Sequence, residues 1–304
     1  MTTTSAPLPP TGDQYELELG PVRATITQVA AALRELSIDG VALTPGYPVD
    51  SQPPFAAGIV LVPWPNRVED GRWELDGQVQ QLDITEVSRN NAIHGLLRYT
   101  GYRELERDAS SVTLGATVYP QHGYPFLLET TVRYALTEDG IRVTHTARND
   151  SAARAPYAVG THPFLGIGGV DGAELTLTVH ASTRFDVDDR LNPLGEVAVD
   201  GDYDLRAGRR VAELELDTAF GGVSPVDGVV AALTAPDGRE VRLLQDANHP
   251  YVQVFITREF PGVGTAIAIE PMTAPPNAFN TGLGVRWLEP GETWSVEWGI
   301  QYAG

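Results

Sequence analysis

Three short stretches carry side chains able to exchange protons. In "AIAIEPMTAPPNAFN", residues 266 to 280, a run of Ala and Ile that reads as a buried strand ends on Glu270 and passes straight into prolines. In "NNAIHGLLR", His94 meets a glycine, which permits a positive φ or a close backbone approach. In "VGTHPFLG", His162 closes a predicted strand before a proline that cannot continue a central ladder. A carboxyl and imidazoles suit general acid–base chemistry. Either histidine alone reads equally as a buried ring bonded to a nearby backbone group.

The remaining histidines offer less. His145 in "VTHTAR" and His180 in "TVHAS" read as ordinary strand residues, and His122 in "PQHGYPF" and His249 in "DANHPY" as solvated turn residues. Neither H-x-H nor H-E-x-x-H occurs, so no metal is expected. The chain has no cysteine, which excludes disulfides and thiolate-based zinc, iron–sulfur or nucleophilic chemistry. A serine triad lacks its G-x-S-x-G elbow and the α/β rhythm that carries one.

Strands must position these groups, because the dominant period is two. "YELELG", "VRATITQV", "SVTLGATVY", "ETTVRYALT", "IRVTHTAR", "ELTLTVHA", "VVAALTA", "EVRLLQ", "YVQVFIT" and "ETWSVEWGIQY" alternate or are rich in β-branched and aromatic residues. "TEDG", "APDG" and "EPGE" each suit a hairpin. The alanine-rich "QVAAALRELSI" continues the alternation of "ATIT" without a helix cap and is read as strand. No βαβ rhythm, glycine-rich nucleotide loop or fixed-period repeat interrupts the pattern. The expected fold is all-β, with two extended antiparallel sheets face to face in one domain over residues 14–304.

Composition bounds the partners. At 304 residues with 42% apolar side chains the chain can build a large core. Forty acids against 21 bases give a formal charge of −19, which repels phosphate backbones and anionic membranes, so nucleic acid and membrane partners are not expected. The opening "MTTTSAPLPPTGD" lacks the basic start and apolar core of a signal peptide, and no window approaches the roughly 18 apolar residues of a span. Residues 1–13 are therefore expected to form a flexible leader on a cytoplasmic monomer or homodimer.

Placed in order, "VLVPWPNRVEDGRWELDG" with Arg67, "NAIHG" with His94, "THPF" with His162, "LELDTAFGGV" with Asp217 and "IEPMTAPPNAFN" with Glu270 form a set. That set resembles the aldose 1-epimerase family, the galactose mutarotases, and its "PWPNR" and "NAIHG" wording looks like a bacterial branch. The resemblance implies a galactose mutarotase-like β-supersandwich and a cofactor-free isomerase that interconverts the anomers of a hexopyranose. It assigns Glu270 as base, His162 as acid, His94 to the ring oxygen or a neighbouring hydroxyl, and Arg67 and Asp217 to sugar oxygens. A base at the end of an apolar strand should have a raised pKa, and a histidine near pH 7 could be protonated before ring opening and neutral after it. Trp64, Tyr124, Phe164 and Phe279 are candidates for an aromatic wall against the sugar. One departure matters: where the better-known galactose enzymes carry a second glycine after "NAIHG", Leu96, Leu97 and Arg98 follow here. Arg98 is a candidate partner for a sugar with an anionic group at C6, such as a hexose 6-phosphate or sulfoquinovose. A carbohydrate-binding sandwich without turnover is the remaining alternative.

Overall fold

The computed structural model describes residues 8–304. Each alternating window forms a strand, and the named strands pair antiparallel wherever they meet. A nine-stranded sheet runs in the order Arg103–Arg107, Ser111–Val118, Leu128–Thr137, Gly140–Asn149, Thr293–Ala303, Glu240–Gln245, Val229–Thr234, Thr176–Val179 and Arg209–Arg210. A second sheet is ordered Pro193–Ala198, Ala181–Val187, Asp217–Val223, Tyr251–Phe260, Gly264–Met272, Gly160–Thr161 and Val60–Leu61, with Phe164–Leu165 paired beside Gly264–Met272. Gln14–Leu19, Val22–Thr27, Leu33–Ile38 and Val41–Ala42 make a four-stranded sheet. One apolar cluster takes side chains from all three, including Ile26, Val143, Trp298, Val254 and Ile269.

The second sheet decides where chemistry can sit. Successive side chains of a strand point to opposite faces. In Gly264–Met272, Ile267 and Ile269 join the main core, whereas Ala266 and Ala268 join a separate cluster with Phe164 and Phe260. Glu270 has the parity of those alanines. The neighbouring strand repeats the division, with Val252 and Val254 in the main core and Gln253 and Phe255 on the other face. Both faces of Gly264–Met272 are covered, and from Ala266 to Met272 every residue is buried.

Three expectations change. The "TEDG" and "APDG" turns close hairpins, Thr137 opposite Gly140 and Thr234 opposite Glu240. "EPGE" does not: Arg286–Leu288 pairs with Ala155–Tyr157, and Thr293–Ala303 leaves the turn for the nine-stranded sheet. In "QVAAALRELSI" the strand covers only Leu33–Ile38, because Ala30 and Ala31 take positive φ and turn the chain. Of the expected leader, residues 1–7 lie outside the described residues, while Thr11 is buried and residues 11 and 13 bond the backbone of Val29 and Gln28. Among the described residues no helix is long and apolar enough to cross a membrane.

The hairpin glycine Gly140 lies against the last strand, where an added Cβ would fall 1.8 Å from the Ile300 carbonyl oxygen. Gly140→Ala should lower stability by about 1–3 kcal/mol through overpacking, measured as a urea midpoint shift at unchanged slope.

Candidate active site

The apolar face parity places a polar floor beside a cleft of about 780 Å³. Glu270 pairs across the ladder with Gln253, and Asp217 with Phe255, so these four side chains share one face. Gln253 Nε2 donates to Asp217 Oδ1 at 2.6 Å. His162 follows Gly160–Thr161 and is held by its backbone, its N–H donating to Ile59 and its carbonyl accepting from Gly58. Its Nε2 lies 3.3 Å from Glu270 Oε1. The Phe164 ring backs the imidazole at 5.5 Å between centroids.

His94 comes from the opposite wall. It takes φ +65°, its N–H donates to the Asn66 carbonyl, and its ring stands edge-on to that of His162 with centroids 5.4 Å apart. The next residue has to be glycine, because at φ +73° a Cβ would sit 2.0 Å from the Val62 carbonyl oxygen. Arg67 lies on Arg67–Glu69, paired with Asn91–Ile93. Its guanidinium is bonded along one edge by Glu86, Nε to Oε2 at 2.8 Å and Nη2 to Oε1 at 3.0 Å, and Nη2 lies 3.6 Å from Asp217 Oδ2. Neither Glu69 nor Asp70 pairs with it; Asp70 pairs with Arg190.

Burial sets the protonation of the pair. It raises the Glu270 carboxyl well above its usual range, with Asp217 adding to the rise and Arg67 opposing it. It lowers His162 to about 4, against its own backbone bond and helped by Arg98 and Arg67, and lowers His94 as well. The expectation that His162 titrates near pH 7 is thus overturned, since an imidazolium in this dry pocket would lose its hydration. One proton on a neutral carboxyl–imidazole pair is the resting state this environment favours. Glu270 Oε2, His162 Nδ1, His94 Nδ1 and Gln253 Oε1 are buried with no hydrogen-bond partner among the described residues.

Arg67, His94, Arg98, His162, Asp217 and Glu270 all line the cleft. Trp64 and Phe279 do not: they form a cluster with Tyr124 and Trp73, and Trp64 is 2% exposed. Phe164 is likewise interior. The aromatic residues that reach the cleft are Phe255, Phe55 and Tyr99. The motif "PPNAFN" acts from behind: Asn277 donates its N–H to the Arg67 carbonyl at 2.6 Å and accepts the Glu69 N–H on Oδ1. His145 also differs from its strand reading. It is buried, and Trp298 Nε1 donates to its Nε2 at 3.0 Å, which puts the ring proton on Nδ1; the same Nε2 touches the Thr161 hydroxyl beside His162. His249, read as solvated, is buried on Asp246. Glu86 and Gln253 carried no signal in the sequence, because only the fold brings them to this face.

Comparison places the molecule among known proteins. A family model described as aldose 1-epimerase matches residues 13–301. The uncharacterized protein YihR of Escherichia coli K12 is 35% identical over 284 residues, 92% of this chain and 90% of that protein. The human galactose mutarotase is 30% identical over 177 residues, 55% of this chain and 49% of the relative. In fold, the chain is similar to an aldose epimerase homologue from C. elegans, with a TM-score of 0.85 at 18% identity, covering 96% of this chain and 98% of the other.

Because the folded protein retains a proton on Glu270 that the unfolded chain releases above its ordinary pKa of 4.5, stability from this group falls as pH rises. Glu270→Gln should therefore gain stability relative to the parent as pH rises above the ordinary carboxyl value of 4.5. Denaturant melts across that rise check the sign.

Proposed function

The chain belongs to the aldose 1-epimerase family, and from that membership we propose that it interconverts the α and β anomers of an aldohexopyranose at the Glu270–His162 pair. It is an isomerase of the mutarotase type. The observation that carries the finer reading is the buried contact of 3.3 Å between a carboxyl and an imidazole, with one carboxylate oxygen left for the substrate.

Anomer exchange moves two protons and no other group. The proton that rests on Glu270 Oε1 passes to His162 Nε2 and from there to the ring oxygen, the C1 hydroxyl gives its own proton to Glu270 Oε2, the C1–O5 bond breaks, and C1 becomes an aldehyde carbon. After rotation about C1–C2 the steps reverse on the other face. Arg67, whose charge opposes the raised pKa of Glu270, favours the carboxylate form that accepts the proton. His94, kept neutral by burial, donates one N–H to a sugar oxygen, while Arg67, Asp217 and Gln253 hold hydroxyls and Phe255 offers a ring to a C–H face. Holding both proton-transfer groups in place supplies orientation that water lacks.

Glu270→Gln keeps the shape and removes the base; anomer exchange measured by NMR should fall by roughly 10²–10⁴. The acid limb of the parent's kcat/KM should lie near pH 4, where the pair gains a second proton. A limb near the free imidazole value would return His162 to the charged resting form. If the protein were only a sugar-binding sandwich, the parent would bind sugars without accelerating exchange.

A second reading concerns the sugar. Arg67 and Arg89 share Glu86, with Asp217 beside Arg67, but Arg98 lines the cleft and forms no ion pair among the described residues. Its Nε is buried and unbonded. With the Glu270–His162 pair neutral, the cleft holds excess positive charge in a chain of charge −19. The sequence contains no lysine, so that charge is guanidinium and persists at any working pH. Both neighbouring histidines feel Arg98, which supports reading it as the partner of a group on the C6 arm. On this reading a hexose carrying a 6-phosphate or 6-sulfonate exchanges faster than glucose, and Arg98→Gln removes that preference while sparing the glucose rate. Equal parent rates on both sugars would leave the neutral hexopyranose alone.

A further inference from the structure

Every arginine has two hydrogen-bonding edges, and Arg67 uses only one of them inside the protein. The Nε–Nη2 edge is closed by the two oxygens of Glu86. The Nη1 end has a single long bond, 3.5 Å to Asn66 Oδ1, and Nη2 faces Asp217 at 3.6 Å. The second edge, Nη1–Nη2, is thus held only by one long bond and a 3.6 Å approach, and keeps donor capacity for a ligand. Glu86 itself is fixed: its side chain is 13% exposed, Arg89 Nη1 bonds Oε1 at 3.1 Å and Asn91 Nδ2 approaches Oε2. The preceding Thr85 bonds both the N–H and the carbonyl of Ile93, next to His94. Burial raises Glu86, yet its bonds to Arg67 and Arg89 hold it below the ordinary carboxylate range, so it stays an anion where the site needs one.

We propose that Glu86 is a positioning residue for the reaction: it locks the guanidinium of Arg67 by a two-point pair along Nε–Nη2, so that the remaining Nη1–Nη2 edge is held in place in the cleft for the sugar. The inference rests on the mutarotase reading, and it adds a residue that acts through Arg67. A lysine at position 67 could carry the charge but not the direction, because an ammonium has no second edge to clamp. The clamp also explains how a half-buried aspartate can sit 3.6 Å from Arg67 without collapsing onto it: the guanidinium is already held, and Asp217 is held by Gln253.

The test is a cycle of Glu86→Gln, Arg67→Gln and the double variant, with anomer exchange measured on the best sugar for the parent. Glu86→Gln should lower kcat/KM by about a hundredfold, the cost of a small misplacement of a contacting group, with KM raised and the pH limits of the profile unchanged. In the Arg67→Gln background the same substitution should cost nothing further. Equal losses with and without Arg67 would overturn the proposal, as would a Glu86→Gln enzyme of parental activity. If the single variant does not fold, because it leaves a buried guanidinium unpaired, the comparison of Arg67→Gln with the double variant still decides, since neither holds that unpaired cation. A parent that accelerates no aldose defeats the mutarotase reading itself, an outcome distinct from either result of the cycle.

Discussion

A carboxyl and an imidazole 3.3 Å apart, both nearly sealed from water, constrain everything around them. Neither charge is tolerated singly in such a place, so the pair is favoured as a neutral unit with one proton, and the full charge of Arg67 is kept one step away and compensated. Arg67 answers to Glu86 and Asp217, and the histidine behind the site, His145, is neutral with burial lowering it to about 3. A dry pair also demands a strand covered on both faces. The main core covers one side of Gly264–Met272, and the Phe164 cluster with the loop at residues 52–59 encloses the other.

Precision then comes from segments far away in sequence. The turn at Asn277 bonds the strand of Arg67 from behind, the Trp298–His145–Thr161 chain fixes the residue before His162, and Gly95 lets the backbone of His94 close against Val62. These contacts join residues separated by up to about two-thirds of the chain length. They explain why motifs scattered from "PWPNR" to "PPNAFN" belong to one function while several of their members touch no cleft. Trp64 and Phe279 belong to these motifs as packing: their rings meet each other and those of Trp73 and Tyr124 instead of lining the cleft.

Much of this was legible beforehand. Period-two alternation marked the strands because a half-buried strand must alternate, and the absence of βαβ rhythm left only an antiparallel all-β fold. The line "AIAIE" even held the parity: large Ile toward the core, small Ala toward the site, and the acid in register with the alanines. It did not say which face was which. The "EPGE" turn misled because a tight turn fixes the reversal of the chain but not the partner of the next strand, which here lies in another sheet.

The sequence by itself determined the strand pattern, the missing thiol chemistry, the excess negative charge and the residue types able to exchange protons at the ends of strands, since each follows from composition or local steric preference. Tertiary structure alone decided the protonation of the Glu270–His162 pair, the recruitment of Glu86 and Gln253, and the dismissal of Trp64 and Phe279 from the cleft. Those outcomes depend on burial and on partners brought from distant positions. A pKa or a hydrogen-bonded edge is a property of the surroundings of a group, and the order of residues does not state what those surroundings are.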